Sequence, residues 1–172
     1  METLHKNAAQ ATKLQNITGE FNAIFPNAVT PANAPYSRAP YRSQSLHNLA
    51  HLDEEFIDIK SVSGGRPVQS LFTGDLRELS LKIKKGTTSG TYKYKPGVDG
   101  AILDVRYGEM GFSEVTNNYV LLQERAIEAT LILQVSEDER YYSSNSFDIK
   151  VLTSNGITLD IKADFKVYLT IE

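Results

Sequence analysis

Residues 157–171 read ITLDIKADFKVYLTI, and their alternation decides the fold. Ile157, Leu159, Ile161, Ala163, Phe165, Val167, Leu169 and Ile171 take every second position. Thr158, Asp160, Lys162, Asp164, Lys166, Tyr168 and Thr170 fill the places between them. Successive side chains of an extended chain point to opposite faces, so this segment has one dry face and one wet face. An α-helix would scatter both sets around its surface. The spacing therefore predicts a half-buried strand of an antiparallel sheet. At about 3.3 Å per residue the run would extend roughly 50 Å, longer than a usual strand, which predicts a bend, a bulge or a projecting end.

The turn before this strand sets a register. A two-residue Asn155-Gly156 loop would place Val151 beside Asp160 and Ile149 beside Lys162, mixing apolar with charged side chains on both faces. A three-residue Ser154-Asn155-Gly156 loop, with Gly156 in the left-handed position of a bulge, pairs Val151 with Leu159 and Ile149 with Ile161. Lys150 then faces Asp160 and Asp148 faces Lys162, each pair contributing roughly 0.2–1 kcal/mol. The second register is expected.

Working back from this hairpin, period-two patterns rich in β-branched and aromatic residues recur to about Glu55. Strands are predicted at Glu55 to Val62, Val68 to Phe72, Glu78 to Lys84, Thr91 to Lys95, Ala101 to Tyr107, Tyr119 to Gln123, Ala126 to Val135 and Phe147 to Leu152. Many short strands without intervening helical patterns point to an all-β domain, an antiparallel β-sandwich of jelly-roll or Ig-like kind, over residues 53–172.

Residues 1–52 have another character. Pro26, Pro31, Pro35 and Pro40 fall close together. Each removes a backbone donor and biases the preceding residue toward extended geometry, so Phe25 to Arg42 reads as a polyproline-like arm. Short helices are expected on either side. Glu2 to Gln15 carries Leu4, Ala8, Ala11 and Leu14 at helical spacing, and Ser45 to Leu52 carries Leu46, Leu49, Ala50 and Leu52 behind a capping Ser45.

Composition narrows the chemistry. The chain has 172 residues, enough to bury a core as one domain without a metal or a disulfide. It contains no Cys, which excludes disulfides, thiolate catalysis and thiolate metal sites. A formal charge of −3 gives no global pull toward nucleic acid or anionic membranes. The N-terminus lacks a basic segment followed by an apolar run, and no stretch has the length of a membrane-spanning helix; a cytoplasmic location is expected.

Few residues suggest a site. His47 and His51 sit four apart with Asp53 close behind, a weak metal-binding candidate with no general-base Glu between the histidines. His5, His47 and His51 all lie before residue 52, and no Ser has a nucleophile-elbow setting, so hydrolysis is disfavoured. There is no Walker loop, dinucleotide fingerprint or EF-hand loop, and no cofactor is implied. If Glu78 to Lys84 paired with Thr91 to Lys95, then Lys82, Lys84, Lys93 and Lys95 would gather on one outer face as an anion patch or as protection of an exposed strand. The tyrosines that could stack bases would be on the other face, which disfavours a nucleic-acid partner.

Within the arm, Tyr36, Arg38, Tyr41 and Arg42 place two rings and two guanidinium groups among prolines, a composition suited to docking on a protein surface. The expected function is thus that of a non-enzymatic structural or protein-interaction subunit, self-associating or part of a larger assembly through its arm and sheet edges. The alternative is a β module for a small or carbohydrate ligand, lined by Tyr107, Tyr119, Tyr141 and Tyr142.

Overall fold

The computed structural model describes residues 15–26, 41–43, 46–47, 55–63, 76–154 and 156–171. They contain ten antiparallel strands and no helix. These are β1 (Gln15–Ile24), β2 (Tyr41–Ser43), β3 (Leu46–His47), β4 (Phe56–Ser63), β5 (Arg77–Lys84), β6 (Gly90–Tyr94), β7 (Ile102–Ser113), β8 (Asn118–Val135), β9 (Tyr141–Leu152) and β10 (Thr158–Ile171). Hydrogen bonding runs through them in the order β2-β1-β10-β9-β8-β7-β5-β4-β3, with β6 added on β8.

Strand β8 is the corner. Asn118–Arg125 pairs with β7, whereas the stretch from Ala126 to Val135 pairs with β9, and β6 lies beside its second half at Ala129 to Leu133. A register shift between Ala126 and Glu128 marks the passage from one half to the other; such irregularities bend a strand and raise its twist. At the far ends of the strand order, β2 pairs with Phe21, Asn22 and Ala23 of β1, and β3 pairs with Ser61 and Lys60 of β4. Chain within 41–47 thus touches both ends, and the sheet is nearly closed and barrel-like.

Alternation fills the interior. Leu79, Leu81 and Ile83 of β5, Leu131 of β8 and Phe165 of β10 are fully buried. Phe21, Phe147 and Phe165 meet with ring centroids 5.3–6.4 Å apart, stacked or edge-on. Within 157–171 the described odd positions are buried, except Ile157 at the turn, which is 46% exposed.

The terminal hairpin has the expected register. Val151 pairs with Leu159, Lys150 with Asp160, Ile149 with Ile161 and Asp148 with Lys162. Gly156 has φ 75°, and the Thr153 amide donates to the Ile157 carbonyl at 2.9 Å. The predicted irregularity in the long strand is a register shift between Ala163 and Phe165.

Other expectations are corrected. The pairing of Glu78–Lys84 with Thr91–Lys95 does not occur: β5 lies between β4 and β7, and β6 pairs with β8. Both edges of β5 are taken by apolar-matched partners, Leu81 opposite Ile59 on one side and Val105 on the other. Tyr119–Gln123 and Ala126–Val135 are parts of one strand, and β7 runs past Tyr107 to Ser113.

Residues 15–24, read as arm, form a full strand on β10. Ile17, Phe21 and Ala23 face the core, and Gly19 sits where a side chain has no room. Its φ is 144°, and a Cβ there would lie 1.9 Å from the Lys166 carbonyl oxygen. Such close backbone approach needs glycine. Of the second expected helix, Leu46 and His47 are described, and they are extended, drawn into the edge of β4. Apart from Gln15, the first expected helix lies outside the described residues, as does the expected strand Val68–Phe72.

Among the described residues no helix is long and apolar enough to cross a membrane.

Candidate functional site

Charged side chains on the wet face of β4, β5, β7 and β8 form rows across the strands, because register places them side by side. One row runs Asp58, Lys82, Asp104; the next runs Lys60, Ser80, Arg106, Arg125. Lys60 Nζ stands 3.0 Å from Glu78 Oε1, to which Gln123 Nε2 also donates at 2.6 Å. Arg106 Nε is 2.6 Å from Asp104 Oδ2, and Arg125 Nε is 2.9 Å from Oδ1. Tyr94 completes the Asp104 shell with a hydroxyl donated at 3.2 Å. The rows border a shallow depression of about 230 Å³.

Two carboxylates here are held in opposite directions. Burial raises Asp58 above its ordinary pKa, against the lowering pull of Lys82 and Lys60. Burial also pushes Asp104 up, but the Arg106 hydrogen bond and charge, the Arg125 charge and the Tyr94 hydroxyl together carry it below the ordinary value. The same burial and the Asp104 charge raise the Tyr94 phenol.

A larger groove of about 600 Å³ lies over β6, β8, β9 and β10. Its floor is again a charge checkerboard, with Asp160, Lys150 and Glu128 in one row and Lys162, Asp148, Thr130 and Lys93 in the next. Lys150 Nζ is 2.6 Å from Glu128 Oε1. Surface rows of this type hold each strand against its neighbours through small, salt-sensitive contributions.

A third feature is apolar. Strand β5 follows β7 only as far as Glu109, so the β7–β8 hairpin continues from Met110 to Leu121 without β5 beside it. Phe112 packs edge-on against Tyr119 with centroids 5.6 Å apart, yet remains 51% exposed, and Val115 at the turn is 96% exposed. Inside the sheet beneath this hairpin, the Tyr107 hydroxyl donates to Glu109 Oε2 at 2.9 Å, and the buried Arg77 lies opposite Glu109 in register. The Arg77 guanidinium also lies over the Phe25 ring, 5.5 Å from its centroid.

No family model, curated protein or solved structure matches the chain.

The structure divides the expected lysine patch. Lys82 belongs to the first network, with Nζ 3.6 Å from the Phe56 ring centroid, while Lys93 and Lys95 line the larger groove and Lys84 is exposed at the end of β5. The four tyrosines do not gather either: Tyr107 and Tyr142 are core residues, Tyr119 packs on Phe112, and Tyr141 lies 4.7 Å from Tyr168. Tyr41 and Arg42 lie in β2, His47 in β3, and Tyr36, Arg38, His51 and Asp53 outside the described residues. Among the described residues no three acidic or histidine side chains gather to hold a metal.

Sequence reasoning missed the projecting hairpin. Its signal was present in GFSEVTNNY at 111–119, where Phe112 and Tyr119 flank a mostly polar turn that carries Val115.

Proposed function

We propose that the chain is a non-enzymatic protein-interaction subunit that assembles through its sheet edges, with the β7–β8 hairpin as its principal contact and the Pro-rich arm as a second. One observation carries this reading: the exposure of Phe112 and Val115 on a hairpin that leaves its neighbouring strand. Large apolar side chains at an exposed site mark contact surfaces. The charged rows support the reading in a second way. Their acids and bases are engaged with one another, across strands in three pairs and along β7 in the Arg106–Asp104 pair, as on a solvated sheet surface, rather than converging on an open reaction centre. Within this proposal we read the domain as a barrel turned at β8, not as the two separate sheets of a jelly roll or Ig-like sandwich.

The test is the size of the native particle. In extract of the cells that make it, the protein is expected to travel well above the 19.1 kDa of one chain. A Phe112→Ser, Val115→Ser double variant with unchanged circular dichroism is expected to move toward the single-chain mass. A wild-type protein that travels as one chain in extract overturns the proposal.

The groove supports a second reading, as a small-ligand module, because its volume lies within the range of roughly 300–1,000 Å³ typical of ligand sites. Its charged floor differs from the mostly apolar lining of such sites and narrows the ligand to a polar one carrying both signs of charge. A thermal-shift screen with zwitterionic sugars and peptides tests it, and a flat response across the screen counts against it.

A further inference from the structure

The depression between the charged rows owes its shape to one small residue. On the wet face Ser80 of β5 has Lys60 and Arg106 beside it on the neighbouring strands, and Glu78 and Lys82 two residues away along its own. These four side chains are long and Ser80 ends at a hydroxyl, so the surface is pitted there to a volume of about 230 Å³. With a water taking about 30 Å³ of the liquid, the well has room for a small molecule the size of roughly seven waters. Charge pairing around it is incomplete. Lys60 reaches Glu78, and Arg106 and Arg125 hold Asp104. Asp58 has no hydrogen bond or ion pair among the described residues, although register sets Lys82 opposite it. Both nearby lysines are drawn away, Lys60 by Glu78 and Lys82 by the Phe56 ring, whose centroid lies 3.6 Å from Nζ. The Ser80 hydroxyl also has no partner among the described residues, and Arg106 hydrogen-bonds through Nε alone. A half-buried carboxylate without a partner costs stability, which is why burial raises Asp58 above its ordinary pKa. Arrangements that oppose stability in this way concentrate at functional sites.

We propose that this well binds a free α-amino acid with a small or polar side chain. Asp58 and the Ser80 hydroxyl oxygen accept from the ligand's ammonium group, and the terminal nitrogens of Arg106 donate to its carboxylate. Asp58 and Arg106 stand diagonally across Ser80, on strands separated by β5 and so roughly 9–10 Å apart. Their side chains narrow that span from both sides, and a molecule with neighbouring ammonium and carboxylate groups bridges the rest. Planar guanidinium nitrogens suit a carboxylate in particular. The charged lining residues balance, Asp58, Glu78 and Asp104 against Lys60, Lys82 and Arg106, which favours a ligand without net charge. A lone cation would leave the Arg106 terminal nitrogens unmet and face Lys82, while a lone anion would face the uncompensated Asp58. The other lining residues, Ser80 and Gln123, are polar, so an apolar ligand side chain finds nothing to pack against. This site is distinct from the hairpin contact and from the larger groove, and it stands without either.

Titration calorimetry on the purified full-length protein tests this, with glycine, serine and glutamine as probes and acetate and methylammonium as controls that carry one charge each. At least one amino acid is expected to bind, and each control to bind roughly tenfold more weakly or worse. Asp58→Asn keeps the shape of the side chain and removes its charge. It is expected to weaken amino-acid binding by roughly tenfold or more with unchanged circular dichroism. Ser80→Leu, which fills the well, is expected to abolish binding. Three results overturn the inference. The first is no heat of binding from any of the three amino acids at concentrations up to about 10 mM. The second is a control that binds as tightly as the amino acids. The third is an affinity that Asp58→Asn leaves unchanged; if Asp148→Asn weakens it instead, the ligand belongs to the larger groove. Should Ser80→Leu fail to fold, Asp58→Asn decides alone.

Discussion

Asp58 and Asp104 flank Lys82 in one row across β4, β5 and β7, and their surroundings act on them in opposite senses. Asp58 loses more to burial than its lysines return, so the folded state binds its proton more tightly than the unfolded chain does. Ionised Asp58 therefore costs stability at neutral pH, and that cost is relieved as pH falls through its raised folded value. Asp104, held by two guanidinium groups and a phenol, has the reverse linkage. Its contribution is complete above the ordinary carboxylate value and is lost as pH falls through its lowered folded one. Two nearly isosteric substitutions should thus have opposite signs. In urea unfolding at neutral pH, Asp104→Asn is expected to lose about 1–3 kcal/mol, the scale of hydrogen bonds to charged groups. Asp58→Asn, which resembles the protonated acid, is expected to be stabilising by up to about 1 kcal/mol. The difference between the two variants should shrink as pH falls below the carboxylate range. Equal losses from both at neutral pH would show that Lys60 and Lys82 dominate burial at Asp58.

At the scale of elements, the β9–β10 hairpin offers the cleanest measurement, because register fixes which charges meet. Asp148 lies opposite Lys162. Asp148→Lys is expected to cost roughly 0.5–1 kcal/mol by opposing two lysines, and adding Lys162→Asp to recover most of that loss. A double variant no more stable than the worse single one would contradict the pairing. This hairpin was legible in the sequence because its alternation has no exception and only one loop length keeps both faces consistent. Strand β1 was not. Gly19 and Asn22 dilute its pattern, and the glycine is needed for a backbone approach from Lys166 that a single chain segment does not reveal. The expected β5–β6 hairpin does not form, although the two strands are neighbours along the chain. Consecutive strands are neighbours in only about two cases in three. For the candidate site, wet-face positions such as Lys82 and Lys93 could be read from alternation. Their partners across strands, Asp58 and Asp104 for Lys82 and Thr130 for Lys93, depend on strand order, which composition and period do not encode.

For the whole molecule, the consequence of one strand serving two halves is cooperativity. The side of β8 that buries Ala126, Ala129, Leu131 and Leu133 packs into the same interior as Leu79, Leu81 and Ile83 of β5. Neither half can lose its packing without exposing the apolar side of the other. Leu131→Ala, in the half shared with β9, and Leu81→Ala, in the half shared with β4 and β7, are each expected to cost about 2–5 kcal/mol. Each should displace one common transition rather than open one half alone. Tyrosine fluorescence follows the interior in part, since the chain has no Trp and three of its nine tyrosines, Tyr94, Tyr107 and Tyr142, are buried. Far-ultraviolet circular dichroism reports the whole sheet. In both variants the two signals should move together in urea, with an unchanged dependence on denaturant, because the surface exposed on unfolding is the same. Were the halves independent sheets meeting only at β8, Leu81→Ala would melt β4, β5 and β7 first. The circular dichroism would then fall in two steps, the second at the wild-type midpoint, and the single nearly closed sheet would have to be abandoned.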